Sequence, residues 1–243
     1  MDLIAGVDSV DADCWRFLPL LENMKTCSLE IHPYLSAPPD TIRLAHLHTL
    51  TLELRCGKDP TASLIDMLIL PALNVLRLHA GFGPALAKCI ISLIARSPCH
   101  LKELTLSGSR FADIPLAEFM SSDVLRKVEK LSLGGGTPHK RPRRRVSVPD
   151  KVLDALRFVY PKQTPLPYLR SLTISDVESW SDSTLLNMLI SRRCISQFPD
   201  ESVFRLEEVF LQGVGERRFK LEDDDARAQL KGLVEDGLVT NFS

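Results

Sequence analysis

The sequence contains no apolar run approaching the roughly 18–20 residues of a membrane helix, so neither a spanning segment nor a membrane partner is expected. Its opening, Met1-Asp2-Leu3-Ile4-Ala5-Gly6-Val7-Asp8, has no basic start followed by an apolar stretch, and no secretory signal is visible. Neither sign of charge dominates. Thirty basic and 31 acidic residues leave a formal net charge of −1, which excludes a global field for nucleic acid. The six cysteines, Cys14, Cys27, Cys56, Cys89, Cys99 and Cys194, include no C-x-x-C pair. Scattered thiols, with Cys27 at a core-leucine position and Cys89 in an apolar helical run, read as buried and reduced, not as zinc ligands or disulfides. A cytoplasmic or nuclear location follows.

The motifs of catalysis are missing too: no nucleophile elbow, no H-E-x-x-H, no dinucleotide fingerprint and no kinase signature. The histidines, His32, His46, His48, His79, His100 and His139, fall at turns, on strands and in a basic loop. His46 and His48 share one strand face, but no carboxylate is placed to complete a site, and all six read as surface histidines. The expectation is a non-enzyme with no catalytic residue, no cofactor and no metal.

What the sequence does contain is a repeat. An aliphatic residue recurs at positions 1, 4 and 6 of a short segment: Leu47-x-x-Leu50-x-Leu52, Leu73-x-x-Leu76-x-Leu78, Leu101-x-x-Leu104-x-Leu106, Val128-x-x-Leu131-x-Leu133, Leu169-x-x-Leu172-x-Ile174 and Leu206-x-x-Val209-x-Leu211. Met24-x-x-Cys27-x-Leu29 is a fainter copy. First positions at 24, 47, 73, 101, 128, 169 and 206 lie 23, 26, 28, 27, 41 and 37 residues apart. The first four separations suit leucine-rich repeats, and the last two read as repeats carrying insertions.

Alternation at positions 4 to 7 is the period of a strand with one buried face. Helical patterns lie between the strands, over 62–69, 84–95, 115–120, 150–156 and 183–190, the last opening on Ser183 as a capping hydroxyl. The spacing predicts an α/β fold, a right-handed leucine-rich-repeat solenoid of about seven irregular repeats. Its parallel sheet would line the concave face and its helices the convex face. It would form one domain over 1–243, with an N-terminal cap over 1–23, repeats over 24–215 with an insertion loop at 134–148, and a C-terminal capping helix in 216–243. The acidic run Glu222-Asp223-Asp224-Asp225 is placed to favour the dipole of that last helix. An ordinary doubly wound domain is the competing architecture, but such folds carry no fixed aliphatic triplet on every strand. The asparagine that usually follows the triplet is absent, since those positions hold His32, Arg55, Gly81, Ser109, Gly136, Val177 and Val214. Irregular turns are therefore expected.

A ligand surface follows from the period. Side chains between the second and third aliphatics are Ser28, Thr51, Arg77, Thr105, Ser132, Thr173 and Phe210, and one pleat earlier stand Thr26, Thr49, Val75, Glu103, Lys130, Ser171 and Glu208. Thr49, Thr51, Arg77, Glu103, Thr105, Lys130, Ser132, Ser171 and Thr173 are the candidate partner-binding residues. The surface is rich in hydroxyls and lacks the basic row with stacking rings of a nucleic-acid groove. Hydroxyl residues are also good exposed strand formers in their own right.

A second feature is Gly134-Gly135-Gly136-Thr137-Pro138-His139, followed by Lys140, Arg141, Pro142, Arg143, Arg144 and Arg145. This basic stretch has the form of a nuclear-import signal or a phosphate contact, and its leading reading is a solvated insertion loop. Arg144-Arg145-Val146-Ser147 has the form of a basophilic-kinase acceptor, with Ser147 the phosphosite.

The C-terminal third carries a family resemblance. Thr184-Leu185-Leu186-Asn187-Met188-Leu189-Ile190-Ser191-Arg192-Arg193, Arg205-Leu206-Glu207-Glu208-Val209-Phe210-Leu211 and Gln229-Leu230-Lys231-Gly232-Leu233-Val234-Glu235-Asp236-Gly237-Leu238 resemble the closing segments of mushroom-type fungal F-box proteins. The entries Leu70-Pro71-Ala72-Leu73 and Leu166-Pro167-Tyr168-Leu169 are similar to theirs as well, and the resemblance spans roughly 18 to 240. It implies the target-recognition subunit of a cullin-type ubiquitin ligase, in which an F-box grips the ligase's linker subunit and the solenoid captures a target. The first 23 residues here are too few for an F-box and lack its Leu-Pro-x-Glu-Ile-like opening. Either the chain is a fragment or it is a solenoid without the ligase anchor, and the linker subunit is a partner only if an F-box lies upstream. The functional expectation is a protein–protein interaction module. The alternative is a nuclear scaffold or nucleic-acid-associated factor using the loop at 139–145.

Overall fold

Each aliphatic triplet forms a strand, because alternating side chains can bury one face of an extended segment and leave the other open. The structure, a computed structural model, describes residues 2–4, 23–31, 41–54, 65–108, 113–134, 150–159, 164–177, 181–193, 203–213 and 223–242. The triplet strands are β2 (Thr26–Ile31), β4 (Thr49–Leu54), β6 (Val75–His79), β7 (Glu103–Ser107), β8 (Lys130–Gly134), β9 (Ser171–Val177) and β10 (Glu208–Gly213). Two further strands, β1 (Asp2–Ile4) and β11 (Val239–Phe242), flank them. Together they form one nine-stranded sheet in the order β1-β2-β4-β6-β7-β8-β9-β10-β11. Every neighbouring pair is parallel. The sheet thus follows chain order without a single inversion, which separates it from a doubly wound sheet, where the order reverses.

The register repeats through all seven triplets from β2 to β10 and shifts only beyond the last of them, between Gln212 and Gly213. Cys27, Leu50, Leu76, Leu104, Leu131, Leu172 and Val209 are successive partners, and so are Leu29, Leu52, Leu78, Leu106, Leu133, Ile174 and Leu211. All are buried except Leu29, which packs against the core at the thin end of the sheet. A one-residue slip would turn each leucine to the opposite face, so the core itself holds the register. A second periodic feature binds the strand entries. The carbonyl of Lys25 accepts from the amides of both His48 and Thr49, that of His48 from Asn74 and Val75, that of Asn74 from Lys102 and Glu103, and so on through Lys102, Glu129 and Arg170. One forked carbonyl per unit carries the chain from each strand to the next.

In four of the seven units the triplet is extended to a quartet. Leu44, Leu70, Leu125 and Leu166 are buried three residues before the first triplet position, and each carbonyl accepts the amide of Leu47, Leu73, Val128 or Leu169 to close a turn into the strand.

Helices fill the connections: α1 (Pro84–Arg96), α2 (Asp113–Met120), α3 (Asp150–Ala155), α4 (Asp182–Arg193) and α5 (Asp224–Glu235). Successive helices pack on one another in chain order. Their buried faces and the strand leucines form one continuous apolar cluster. In α1, Pro84 occupies the first turn, where its missing amide costs nothing, and Leu86, Cys89, Ile90, Leu93 and Ile94 make the buried stripe. The carboxylate of Asp223 accepts the Asp225 amide at 3.0 Å and caps α5, as the acidic run suggested.

Several expectations need correcting. The segment 62–69 is not one helix: residues 65–67 are helical, but Leu68–Ile69 forms β5, which pairs in parallel with β3 (Ile42–Arg43) in a separate two-stranded sheet. Extended pairing there lets Leu68 and Ile42 both bury. The cap of α4 is Ser181, not Ser183: the Ser181 hydroxyl accepts the Thr184 amide at 3.4 Å, and its carbonyl accepts from Leu185. Within 1–23, Asp2–Ile4 extends the sheet as β1. Within 216–243, α5 is followed by β11, so the sheet continues beyond the last triplet. The break between them is Gly237, whose φ of +88° suits glycine. There Leu238 N–H bonds Leu233 O at 3.0 Å, while Gly237 N–H bonds Val234 O, which ends the helix and buries Leu238.

Candidate interaction surface

The residues that alternate with the buried leucines form the open face of the sheet. Thr49, Thr51, Arg77, Glu103, Thr105, Lys130, Ser132, Ser171 and Thr173 all lie on it, on β4, β6, β7, β8 and β9. They fall in two rows whose members are direct register partners: Thr51, Arg77, Thr105, Ser132 and Thr173 in one, Thr49, Glu103, Lys130 and Ser171 in the other, with Val75 between Thr49 and Glu103. Parallel strands ~4.8 Å apart make this a field on the order of 20 Å across. Its exposure is uneven. Arg77 and Lys130 stand out, the threonines and Ser132 are half-buried, and Ser171 is down to 9% exposure. Arg77 is held by Glu103 on the next strand, its Nη2 at 2.8 Å and its Nε at 3.3 Å from the same carboxylate oxygen. A two-point contact fixes the guanidinium over the sheet and leaves Lys130, on the far side of Glu103, exposed. The face therefore offers two cations set among hydroxyls.

A third row lies at the carboxyl ends of the strands, at the seventh position of the strand period, and it is not among the candidate partner-binding residues read from the sequence. It runs Glu30, Glu53, His79, Ser107, Gly134, Ser175 and Gln212. The signal was available, since the row is only the next step of the same two-residue period. His79 is half-buried, not a free surface histidine. Burial pushes its pKa below 6.5, and the neighbouring Glu53 carboxylate opposes that only in part. His79 Nδ1 and the Ser107 hydroxyl share a short hydrogen bond. Glu53, His79 and Ser107 are the residue types of a nucleophile relay, but the geometry is wrong for one. Ser107 is 8% exposed, its carbonyl already accepts the Ala80 amide, and the Gly108 amide is spent on Gly134 O. A nucleophile needs access and donors aimed at a developing oxyanion, so this trio closes the strand ends instead. The same crowding explains two glycines: a Cβ on Gly108 would lie 1.8 Å from Ala80 O, and one on Gly134 2.2 Å from the Ser175 hydroxyl.

At the opposite, amino ends of the strands lies an aromatic corner that was also missed. The Phe204 ring is 5.2 Å from that of Tyr168, and the Arg170 guanidinium sits 3.8 Å from the Phe204 centroid while pairing with Glu207 at 2.9 Å.

The cysteine reading meets the structure at three positions. Cys27, Cys89 and Cys99 form no disulfide, the first two are buried, and burial pushes the Cys27 thiol up to about 11. Among the described residues no group of three His, Cys, Asp or Glu side chains is placed to hold a metal. No described helix is long and apolar enough to cross a membrane. The basic stretch Lys140, Arg141, Arg143, Arg144 and Arg145 and the acceptor Ser147 lie outside the described residues.

Comparison of the chain with protein-family models, with curated proteins and with solved structures finds no match.

Proposed function

We propose that the chain is a right-handed leucine-rich-repeat solenoid whose open sheet face docks a protein partner. It would serve as the target-recognition part of an F-box-type ubiquitin-ligase adaptor. The observation that carries the docking reading is the common register of the seven triplets, which lays two rows of side chains in one field on the open face. Chain-order stacking of strand and helix supports the solenoid reading. Arg77 and Lys130, prominent among small hydroxyl residues, suit a partner segment that brings carboxylates and backbone carbonyls. The adaptor role rests on the resemblance of 184–193, 205–211 and 229–238 to mushroom-type fungal F-box proteins.

The docking role is tested by affinity capture with the whole chain, the variants Arg77→Glu and Lys130→Glu, and the control Lys88→Glu on an exposed turn of α1. The expected result is one discrete protein, recovered with wild type and control and lost with both face variants. Recovery indifferent to Arg77 and Lys130 would overturn the reading. The adaptor role is tested separately: a coding segment for an F-box in frame upstream of Met1, with co-capture of the ligase linker subunit by the longer protein, supports it, and absence of either removes it.

A further inference from the structure

We propose that β11 pairs antiparallel with β11 of a second copy, joining two sheets across a two-fold axis. This interface is distinct from the open face.

Among the described residues β11 ends the sheet and has one hydrogen-bonding neighbour, β10. In an extended strand, alternate residues turn their N–H and C=O to opposite sides. The Val239 amide bonds Glu207 O at 2.9 Å, so Val239 and Asn241 face β10 while Thr240 and Phe242 turn both backbone groups to the open edge. Proteins protect such edges with a charge, a proline or a bulge. Each of the other eight strands of the sheet carries a charged residue, from Asp2 in β1 to Glu208 in β10. Val239-Thr240-Asn241-Phe242 carries no charge and no proline, and its pairing with β10 shows no register shift. The strand that most needs a guard is the one without it. Val239, 56% exposed, is the most exposed of the large hydrophobic side chains among the described residues.

A second copy fits this edge better than a foreign strand. With Asn241 on the two-fold axis, Thr240 of each copy lies opposite Phe242 of the other, and the pair exchanges both N–H to O=C bonds. All four outward groups of each copy are then satisfied. An uncharged strand meets itself without repulsion, and a net charge of −1 per chain opposes association very little. The contact is isologous and closes at two copies. The far edge, β1, begins on Asp2.

The test is sedimentation of the whole chain over a concentration series. Mass should rise from 27.2 kDa to twice that value and stop. Thr240→Pro removes an outward donor while leaving the bonds to β10 in place, so the dimer should be lost with the circular dichroism spectrum unchanged. Asn241→Lys sets two ammonium groups face to face on the axis and should weaken the dimer by at least about tenfold, as should Asn241→Glu. Mixing the two charge variants should restore it. A monomer at every concentration, an open-ended series of masses, or a dimer indifferent to all these changes would overturn the proposal.

Discussion

In α1 the last turn carries Arg96 followed by Ser97, and in α4 it carries Ser191 followed by Arg192. Both pairs reach back to the connection one unit earlier, about thirty residues away in sequence. Arg96 Nη2 donates to Ile65 O at 2.9 Å and Nη1 stands 3.5 Å from Asp66, while Ser97 accepts the Leu70 amide at 2.8 Å. Ser191 accepts the Phe158 amide at 3.1 Å, and Arg192 donates to Leu156 O at 2.6 Å, to Leu166 O at 3.0 Å and to Pro165 O. The clamps are alike in kind and differ in depth. The Arg96 side chain keeps 32% of its surface, whereas Arg192 keeps none. Burial pushes Arg192 down to about 10, still well above neutrality, so a charged guanidinium sits inside the core held by carbonyl dipoles.

Connection length explains the difference. First triplet positions are 26 residues apart at 47 and 73 but 41 apart at 128 and 169, and the longer connection brings more backbone inside. Its carbonyls at 156 and 166 meet Arg192 in buried hydrogen bonds, where a backbone acceptor needs a donor within the protein, and that at 165 meets it in a partly buried one. Arginine supplies several donors in a fixed fork. Leu166, with φ at +45°, holds a backbone conformation unusual for its type while presenting its carbonyl to that fork. Arg193 extends the arrangement, donating to Leu206 O at 3.0 Å and pairing with Asp236 at 3.2 Å. The regular half of the sheet is closed by leucine, the irregular half by leucine and buried arginine.

The largest test of this contrast is Arg192→Leu. It keeps apolar bulk but takes the donor from the Leu156 and Pro165 carbonyls and leaves Leu166 O with the Leu169 amide alone, at a cost of about 3–5 kcal/mol, read as a fall in the denaturant midpoint at constant slope. Arg192→Lys, a compact cation without the fork, should recover only part of that loss. A midpoint unchanged in Arg192→Leu would mean that the carbonyls find other donors. Next in size is Ser97→Ala. Ser97 is fully buried and satisfies the Leu70 amide, so its removal should cost about 1–3 kcal/mol. Equal losses for Ser97→Ala and Arg192→Leu would erase the distinction between the halves.

The regular half was legible in the sequence and the arginine clamp was not, for a physical reason. A triplet with period two assigns every neighbouring side chain to a face, so Thr51, Arg77 and Thr105 follow as one row once Leu50, Leu76 and Leu104 are placed in the core. Nothing in the local pattern separates Arg192 from Arg96. A basic residue in a last turn ordinarily faces water and the helix dipole, and only the length of a distant connection makes one of them a core residue. The strands outside the triplet are hidden similarly: Leu68–Ile69 is too short to show a period, and β11 has no leucine at all. The row Glu53, His79 and Ser107 lies within the strand period, but the short hydrogen bond that joins His79 to Ser107 crosses between strands and has no sign in either one's local pattern.

Arg96→Ala should show a smaller effect than Ser97→Ala. Its guanidinium is partly solvated, its partner Asp66 is exposed, and water can take over the Ile65 carbonyl. An exposed pair of this kind contributes about 0–1 kcal/mol, so a loss as large as that of Arg192→Leu would show that depth is not what divides the two clamps.

The smallest effect concerns acid. His79 sits in the regular half with its folded pKa held below 6.5 by burial, so the unfolded chain binds a proton there first as pH falls. Stability is then complete above about pH 6.5 and declines as pH drops through that value. Midpoints measured between about pH 7.5 and pH 5 should slope less steeply in His79→Gln, which keeps a polar group for Ser107 but cannot titrate. Arg192→Leu should run parallel to wild type, displaced downward at every pH. If His79→Gln keeps the full wild-type slope, acid acts elsewhere, and the regular half loses the one sensitivity that sets it apart.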